Sequence, residues 1–342
     1  MTSHNGKKIL ITGASGFIGR HIVGEALDRG YEVWAGVRAT SSLAGLPADR
    51  VHRMELEYGD GEALTAQLAQ FAREHGAWDY VVHNAGLTKT TRPRDFFRVN
   101  ADCTQRLLRS LAAAACHPRK FLLMSSLGSC GAGNPDTLRP VRLDDPQQPA
   151  TAYGKSKLMA ENHVRAQRDF PYVILRPTGV YGPGDRDYLM EIDSIRAGFD
   201  FAVGMRPQHL TFIYVKDLAS AVCETLECEP VVNSTFFVAD GDVHTDAEFA
   251  RTIQDVLQKR RVLRLRIPCW LAWCACICFE GAGRLTGRAM TLNADKYRIL
   301  KERNWTCDTE PLRRATGFRP AYNLRRGLEE TIRLLDAQAA KR

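Results

Sequence analysis

The stretch ITGASGFIGR, residues 11–20, places three glycines three residues apart directly behind an apolar run. The preceding run, Lys8–Thr12, is largely apolar and ends at a glycine, which is typical of a short buried strand. After the glycines, apolar residues recur at helical spacing over 17–29, and Gly30 provides a stop signal. The stretch therefore predicts a strand, a glycine-rich turn and a helix, which together form half of a phosphate-binding unit.

The glycine spacing is G-x-x-G-x-x-G, which differs from the G-x-G-x-x-G spacing of many dinucleotide-binding turns. The same three roles are predicted for these glycines. Gly13 permits the tight turn, Gly16 lets a pyrophosphate approach the backbone at the helix N-terminus, and Gly19 lets the helix lie close to the strand. Because glycine-rich turns are common, the chemistry has to be inferred from motifs in the rest of the chain.

Strand-like runs alternate with helix-like stretches in the first half of the chain. Further strands are predicted at 31–37, 53–57, 78–83, 121–125 and 172–175, and further helices at 62–72, 97–115 and 153–168. This alternation predicts an α/β fold, a doubly wound parallel sheet of the Rossmann type. Elements become shorter from about Gly182, so we expect a Rossmann domain over 1–181 and a smaller, mainly substrate-binding lobe over 182–342. The lobe is expected to be interleaved, because 212–221 and 235–239 look like segments that rejoin the first domain.

The composition restricts the classes of partner. The chain has 342 residues, 44% of them hydrophobic and 25% charged, as in ordinary globular proteins. The net charge of +8 permits attraction to anions, but the basic residues are scattered and no nucleic-acid-binding motif is present, so no nucleic-acid partner is expected. The first residues, MTSHNGKK, lack the apolar core of a secretory signal, and the ten cysteines lack regular spacing. We therefore expect a cytoplasmic protein with reduced thiols and no metal site.

Residues 267–279, IPCWLAWCACICF, form the most unusual segment. The segment follows a basic run, Lys259, Arg260, Arg261, Arg264 and Arg266, and it is too short to span a bilayer. Its four cysteines lack the C-x-x-C pairs of a zinc or iron–sulfur site. Two interpretations remain open: a buried helix that uses cysteine as a small apolar filler, and an element that rests on a membrane surface at the cytoplasmic face.

Tyr153 and Lys157 stand four residues apart at the start of a predicted helix, in TAYGKSKLMAEN. Residues at positions i and i+4 share a helix face. A lysine ammonium beside a phenol favours the phenolate, which lowers the pKa of the tyrosine from its usual value of about 10. This pair therefore predicts a proton donor and acceptor that works near neutral pH.

The motifs TGASGFIG, HNAG, VN, MSSLGSCG, YGKSK, LRPTGVYGPGD and FIYVKDLASA occur in this order over nearly the whole chain. Together they resemble the extended short-chain dehydrogenases/reductases of the NAD-dependent epimerase/dehydratase type. The resemblance implies that Tyr153 is the catalytic acid/base, that Lys157 hydrogen-bonds the nicotinamide ribose, and that Ser126 polarises the substrate carbonyl. It also implies that Asn100 orders a water molecule near the lysine; a structural role for Asn100 at a helix kink is the alternative.

The resemblance implies further contacts with cofactor and substrate. Cofactor contacts are expected at Gly13, Ser15, Gly16, Phe17, Ile18, Gly19, Arg38, Glu57, Tyr58, Asn84, Ala85, Gly86, Ser125, Tyr153, Lys157 and Pro177. The Ser125 side chain is expected to face either the cofactor or the core. Substrate contacts are expected at Thr88, Thr178 and Tyr181. Because family members usually dimerise through helices of the Rossmann domain, a homodimer is expected.

The residue after the second predicted strand indicates the cofactor. NAD-preferring members carry an acidic residue there to hold the adenosine ribose, whereas this chain has Arg38. A guanidinium suits a 2′-phosphate, with Ser41 or Ser42 as further donors, so NADP(H) is favoured over NAD(H). A solvated arginine beside an NAD ribose is the alternative. Glu57 stands where the family usually has an aspartate near the adenine.

Two positions bear on the substrate class. Nucleotide-sugar members often carry an arginine where this chain has Leu210, and the Thr-Asp-Glu pattern of dehydratases is replaced by Ser126-Leu127-Gly128. These differences argue against sugar dehydration and weaken the case for sugar epimerisation. The chain is similar instead to ketone-reducing members, which include dihydroflavonol reductases and 3β-hydroxysteroid dehydrogenases. The stretch LNADKYRILKERNWTCD resembles reductases of 3-keto-sphinganine type.

The expected activity is therefore the NAD(P)H-dependent interconversion of a ketone and a secondary alcohol on an apolar, lipid-like substrate, with 3-keto-sphinganine as the candidate. Residues 270–279 are expected to border the substrate site. Two alternatives remain: a nucleotide-sugar 4-epimerase that retains NAD, and a catalytically silent cofactor-binding regulator.

Overall fold

A computed structural model of the chain describes residues 6–286 and 294–340. Of the stretches discussed above, the first five residues of MTSHNGKK and the first two of LNADKYRILKERNWTCD, Leu292 and Asn293, lie outside the described residues. The described strands are β1 Lys8–Thr12, β2 Glu32–Val37, β3 Val51–Glu55, β4 Tyr80–His83, β5 Lys120–Met124, β6 Tyr172–Pro177, β7 Gly179–Tyr181, β8 Phe199–Val203, β9 His209–Leu210, β10 Phe212–Tyr214, β11 Ser234–Val238, β12 His244–Thr245, β13 Leu263–Ile267 and β14 Asn304–Trp305. The described helices are α1 Phe17–Asp28, α2 Gly61–His75, α3 Pro93–Phe96, α4 Cys103–Ala113, α5 Ala152–Ala166, α6 Asp187–Ala197, α7 Val215–Glu227, α8 Asp246–Val256, α9 Cys269–Thr286, α10 Ala294–Leu300, α11 Glu310–Thr316 and α12 Leu324–Ala339.

Seven parallel strands form the central sheet in the order β11-β6-β5-β4-β1-β2-β3. The strand order reverses between β1 and β4, and in such sheets the ligand crevice lies outside the carboxyl ends of the strands at the reversal. The predicted Rossmann-type α/β fold is confirmed. Every chemically important loop described below leaves the sheet at that edge.

The strands of the central sheet carry apolar side chains on both faces, and helices cover both faces. Along β1, Ile9 and Ile11 face one hydrophobic core while Leu10 faces the other, so both sides of the strand are apolar. Helices α1 and α7 cover the first core, through residues such as Ile22 and Val222. Helices α2, α4 and α5 cover the second core. Because both faces of the sheet are buried, the carboxyl ends of the strands are held in place at the crevice.

Two predicted elements differ from the structure. The helix predicted over 97–115 is divided into a π-helical turn, Phe97–Asp102, followed by α4, because an extra residue is accommodated around Asn100. Strand β10 does not join the central sheet but pairs with β7 in a separate two-stranded sheet, whereas β11 lies at the edge of the central sheet beside β6. The division of the chain at residue 181 stays a prediction.

Most of the later elements surround a further core built from β7, β10, α6, α8 and α12. Small sheets β12-β9-β14 and β13-β8 extend from this part of the molecule. The segment 267–279 forms the end of β13 and the first turns of α9, with Ala272 and Cys276 buried and Trp270, Leu271, Trp273, Ile277 and Phe279 exposed. The interpretation of this segment as a buried helix is therefore wrong for most of its large side chains. Within the described residues, no helix combines the length and apolarity that crossing a membrane requires.

Candidate active site

The glycine-rich turn connects β1 to α1 at the crevice. Gly13 has a φ of +66°, and a Cβ atom there would lie 2.8 Å from the Cα of Ala85 in the loop after β4. A Cβ atom at Gly19 would lie 2.1 Å from the carbonyl oxygen of Gly13, so only glycine lets α1 lie this close to the turn. Gly16 is the exposed N-cap of α1, next to the half-buried Ser15. The turn therefore leaves a side-chain-free cradle in front of a helix N-terminus.

Arg38 and Glu57 follow the carboxyl ends of β2 and β3, and both side chains are exposed. The backbone N–H of Arg38 donates to Ser41 Oγ at 3.1 Å, which shapes the loop after β2. Tyr58 behaves differently from the prediction. Its ring packs against the second core near His83, and burial raises the pKa of its hydroxyl, so its side chain lies behind the sheet edge and not in the crevice.

A cleft of about 570 Å³ opens beyond β4, β5 and β6. Ser126, Tyr153 and Lys157 line it together. The predicted cofactor positions that line the cleft are Phe17, Ile18, Asn84, Gly86, Ser125 and Pro177, and the predicted substrate positions are Thr88 and Thr178. These predicted residues come from five separate stretches of the chain, and they meet in one cavity.

Tyr153 and Ser126 are brought together by two short elements. Ser126 is the N-cap of a 3₁₀ turn, Leu127–Ser129, and its Oγ accepts a hydrogen bond from the N–H of Gly128 at 3.0 Å. Tyr153 lies in the first turn of α5, whose N-cap Thr151 accepts from the N–H of Gly154 at 3.0 Å. The start of α5 therefore lies directly against the turn that carries Ser126.

Burial controls the protonation of the Tyr153–Lys157 pair. Burial lowers the pKa of Lys157 to about 8, although the nearby Glu161 carboxylate opposes the change, and Nζ donates to the carbonyl oxygen of Met124 at 2.8 Å. Burial raises the pKa of Tyr153, and a hydrogen bond with Ser126 opposes the rise. The predicted lowering of the Tyr153 pKa by Lys157 is therefore not found in this arrangement.

Asn100 connects the π-helical turn to the loop after β4. Its Oδ1 accepts from the N–H of Leu87 at 2.7 Å, and its Nδ2 donates to the carbonyl oxygen of Leu87 at 3.0 Å and to Ser156 Oγ at 2.9 Å. A Cβ atom at the neighbouring Gly86 would lie 3.1 Å from Lys157 Nζ. These contacts give Asn100 a structural role. It holds the backbone of the 86–87 loop beside Lys157, where Gly86 leaves space free of side chains. Whether Asn100 also orders a water molecule stays a prediction.

The comparisons with known proteins agree with this geometry. The NAD dependent epimerase/dehydratase family matches residues 9–237. The chain belongs to this family. The resemblance predicted from the motifs is confirmed, and the chain is an enzyme of a family whose members act on alcohol and ketone groups with NAD.

Relatives of this epimerase/dehydratase-family protein carry out different reactions. Over 337 residues the chain is 29% identical to the ceramide reductase of Caulobacter vibrioides (strain NA1000 / CB15N), an alignment covering 95% of this chain and 93% of the relative. It is 26% identical over 340 residues to the UDP-glucose 4-epimerase of Vibrio cholerae, covering 95% and 94%. The structure of the Thermus thermophilus UDP-glucose 4-epimerase in complex with NAD matches with a TM-score of 0.74 at 20% identity, covering 95% of this chain and 98% of that chain. This last likeness shows the fold alone.

The cleft of this family member fits a nicotinamide dinucleotide. The cradle around Gly13 and Gly16 offers backbone N–H groups and a helix N-terminus to a pyrophosphate. Gly86 keeps the space beside Lys157 Nζ free of side chains, which suits a ribose. Within the described residues, no group of three or more His, Cys, Asp or Glu side chains is arranged to hold a metal ion.

The buried ion pair behind the cleft was missed by sequence reasoning. Glu161 is fully buried and accepts hydrogen bonds from Arg176 at 2.7 and 2.9 Å, from Ser129 at 2.7 Å and from Ser125. The Ser125 hydroxyl therefore points to the core, one of its two expected orientations, while Ser125 also lines the cleft; its contact with the cofactor stays a prediction. The signal was present in the sequence, because Glu161 follows Lys157 by four residues and so shares its helix face.

The predicted substrate contact at Tyr181 is not formed. Tyr181 is buried in the core of the later elements, with its hydroxyl 3.4 Å from the carbonyl oxygens of Asn323 and Leu324. Gly327 allows this burial, since a Cβ atom there would lie 2.2 Å from the tyrosine oxygen. Residues 270–279 also do not line the cleft; the first residue of α9 that does is Glu280.

The outer part of the cleft is ionic, which the sequence analysis did not predict. Lys89 donates to Asp187, and Lys296 Nζ lies 3.7 Å from the same carboxylate. Asp295 accepts from the N–H of Ala152 at 3.0 Å, which ties α10 to the first turn of α5. Apolar lining comes from Phe96, Met124, Val180 and Ile299. The cleft therefore combines a charged mouth with an apolar inner wall.

Proposed function

We propose that the protein is an NADP(H)-dependent reductase that interconverts a ketone and a secondary alcohol on an apolar, lipid-like substrate, with 3-keto-sphinganine as the candidate. The observation that carries the proposal is the meeting of Ser126, Tyr153 and Lys157 in one cleft, with Leu127 and Gly128 directly after Ser126. Dehydratases place Asp and Glu after the first of these residues. Here Leu127 is buried and Gly128 packs near the Tyr153 ring, so this position supplies no base for the elimination of water.

In this proposal the chain's own residues manage the substrate oxygen and its proton. A bound nicotinamide supplies the hydride chemistry. The Ser126 hydroxyl and the Tyr153 hydroxyl hold the carbonyl oxygen, and Tyr153 gives that oxygen its proton. Lys157, whose pKa is lowered to about 8, remains largely protonated at neutral pH and places a cation on the same face of α5 as Tyr153. The buried apolar side chains of Phe96 and Met124 line the cleft and exclude water from the reacting group.

Two observations support a lipid-like substrate. The relative with ceramide reductase activity aligns over nearly its whole length. Leu210, at the position where nucleotide-sugar members often have an arginine, lies in β9 and packs on the core of the later elements. No guanidinium stands at this position to hold a diphosphate, while the inner cleft offers an apolar wall.

The preference for NADP(H) rests on Arg38. Its side chain is exposed directly after β2, where an adenosine 2′-phosphate would need a cation, and Ser41 stands in the same loop. The contact of Glu57 with the adenine and a homodimer built from Rossmann helices are part of the same proposal.

The charged mouth of the cleft favours a second candidate, a nucleotide-sugar 4-epimerase that retains NAD. Lys89, Lys296 and Arg298 line the mouth, and cations there suit the diphosphate of a nucleotide sugar. The Vibrio cholerae relative is a UDP-glucose 4-epimerase. In the reductase proposal the same cations and Asp187 face the polar end of the lipid.

One experiment separates the two candidates. Purified protein is assayed for bound dinucleotide, for oxidation of NADPH and NADH with 3-keto-sphinganine and its N-acylated form, and for interconversion of UDP-glucose and UDP-galactose. NADPH oxidation that depends on the keto-lipid supports the reductase. Bound NAD together with interconversion of UDP-sugars, and no NADPH oxidation, overturns it.

A further inference from the structure

The two-stranded sheet of β8 and β13 carries large apolar side chains on its solvent side. The strands pair in parallel with Phe199 opposite Leu263 and Phe201 opposite Leu265. Side chains alternate between the faces of a strand, so these four lie on one face. All four are exposed: Phe199 by 43%, Phe201 by 49%, Leu263 by 56% and Leu265 by 41%. The two phenylalanine rings stack with centroids 6.0 Å apart.

The inner face of the same sheet is charged. Asp200 is buried and lies 3.4 Å from Arg264, and Arg266 lies 3.2 Å from Asp246 of α8. A sheet with one face in water normally turns its apolar side chains inward and its polar ones outward. This sheet leaves its leucines and phenylalanines exposed, while its other face carries the half-exposed Arg264 and the partly buried Arg266, each paired with an aspartate. The four apolar side chains therefore form a continuous exposed face on one side of the sheet.

The apolar face continues onto the start of α9. Gly204, directly after β8, donates to the carbonyl oxygen of Ile267 at 2.8 Å and lies against Cys269, the first residue of α9. Met205, Trp270, Leu271 and Trp273 are all exposed there, Trp270 by 68%. We call the eight residues Phe199, Phe201, Met205, Leu263, Leu265, Trp270, Leu271 and Trp273 the outer apolar face.

A basic stretch accompanies this face. Lys259, Arg260 and Arg261, in the loop that leads into β13, are exposed. Residues 259–279 contain five basic residues and no aspartate or glutamate. Aromatic and aliphatic side chains beside a uniformly basic segment match the interface of an anionic bilayer, where tryptophan is favoured and each lysine or arginine adds affinity.

We propose that the outer apolar face, with Lys259, Arg260 and Arg261 beside it, docks on an anionic lipid bilayer. The surface is formed by β8 together with β13 and the start of α9, which lie about 60 residues further along the sequence. It is therefore not visible as one amphipathic segment. Both chemical demands of a membrane surface are met by the same unit. Apolar side chains enter the acyl boundary, and the cations lie at the height of the lipid head groups.

The docking surface leads to the cleft. Along α9, Trp270 and Glu280 are ten residues apart, which in a helix is about 15 Å, and Glu280 lines the cleft mouth. Trp273 of this surface also contacts Tyr297 of α10 with ring centroids 5.0 Å apart, and α10 lines the same mouth. A lipid substrate would pass from the bilayer to the cleft over this short distance; this step rests on the proposed function, whereas bilayer docking itself does not.

The test is co-sedimentation of the full-length protein with vesicles of phosphatidylcholine and phosphatidylglycerol, and with vesicles of phosphatidylcholine alone. Phe201→Ser with Leu263→Ser is expected to lower the partition coefficient at least about tenfold, and Lys259→Glu with Arg260→Glu and Arg261→Glu is expected to lower it by a similar factor on the anionic vesicles. The matched apolar control is Val232→Ser with Val243→Ser, and the matched charge control is Arg73→Glu with Arg119→Glu and Arg314→Glu. Circular dichroism melting confirms that each variant is folded.

A second readout locates the contact. Addition of anionic vesicles is expected to shift the tryptophan emission of the wild type to shorter wavelength, and Trp270→Phe with Trp273→Phe is expected to remove that shift while the protein still sediments. Equal loss of binding in the charge control and the basic-loop variant would show adsorption through net charge and would overturn the proposal. Absence of vesicle binding by the wild type, with a dimer that Phe201→Ser and Leu263→Ser convert to a monomer, would also overturn it and would assign the face to a second copy.

These outcomes are independent of the substrate. If vesicles bind but keto-lipids do not react, the proposed reductase function fails and the docking surface stands. If keto-lipids react and vesicles do not bind, the docking surface fails alone.

Discussion

A Cβ atom on Gly154 would lie 2.2 Å from the carbonyl oxygen of Gly128, so these two glycines bring the first turn of α5 into direct contact with the turn after β5. Tyr153 precedes Gly154, and Ser126 caps the turn that contains Gly128. The spacing of the two candidate catalytic hydroxyls is therefore set by a contact between backbones, which a side chain cannot adjust.

Gly154→Ala is expected to move Tyr153 away from Ser126, because the new methyl group has no space beside the backbone oxygen. We expect a loss of about 1–3 kcal/mol in the free energy of unfolding from overpacking, and a decrease in kcat of about a hundredfold from misplacement of the proton donor. Urea denaturation and steady-state kinetics measure the two effects. Gly24→Ala in α1 is the control, since nothing lies within 4 Å of its added Cβ; it should leave kcat unchanged. A Gly154→Ala protein with wild-type kcat would show that this contact does not set the site.

Tyr153→Phe is expected to keep the fold and the affinity for dinucleotide while it lowers kcat by a factor of about 10²–10⁴, because only the proton of the phenol is removed. Stopped assays of turnover and fluorescence titration with the dinucleotide measure the two properties. Tyr181→Phe is the matched control: it removes the hydroxyl of another buried tyrosine, outside the cleft, and should leave turnover close to wild type. Equal losses in the two variants would contradict the assignment of Tyr153.

The Glu161–Arg176 pair is expected to support the site as a buried unit. Glu161→Gln leaves the Arg176 guanidinium buried with a neutral partner and should lower the free energy of unfolding by about 3–5 kcal/mol. The double variant Glu161→Leu with Arg176→Met removes both charges and should recover most of that loss. Urea denaturation at neutral pH measures both. A double variant as unstable as the single one would show that packing, and not charge pairing, explains the loss.

The same pair predicts a pH dependence. Burial disfavours the ionised Glu161, but hydrogen bonds from Arg176, Ser125 and Ser129 dominate and lower its pKa from 4.5 to about 2. The folded state therefore binds fewer protons than the unfolded state between these two values. The stability that this carboxylate contributes is present above about pH 4.5 and is lost as the pH falls toward about 2. The stability difference between the wild type and the double variant should follow this window.

Local patterns predicted the parts of the site that depend on neighbouring residues. The glycine turn, the Tyr153–Lys157 pair and the alternation of strands and helices each follow from spacing within a few residues. Tyr181 could not be assigned in this way, because its burial depends on Gly327 of α12, far along the chain. The direction of the Ser125 side chain depends likewise on Glu161 and Arg176, which reach it from α5 and β6.

The sheet of β8 and β13 shows a second limit of pattern reasoning. The sequence LRLRI alternates, and alternation predicts a strand with its leucines turned to the core. In the structure Leu263 and Leu265 are exposed, whereas Arg264 and Arg266, on the other face of the strand, pair with Asp200 and Asp246. Alternation therefore predicted the strand but not which of its two faces is exposed.

Arg38→Asp is expected to shift the preference from NADPH toward NADH. The substitution places a carboxylate at the exposed end of β2, where it repels a 2′-phosphate and accepts hydrogen bonds from a free ribose. The measurement is the ratio of kcat/KM for the two cofactors, which should fall at least about tenfold, since one charge-assisted contact is replaced by a repulsive one. Arg50→Asp is the matched control, because Arg50 is also exposed in the same β2–β3 connection and carries the same change in charge. An unchanged ratio in the Arg38 variant, or an equal shift in both variants, would assign the cofactor preference to the overall charge of the surface and leave Arg38 without a specific role.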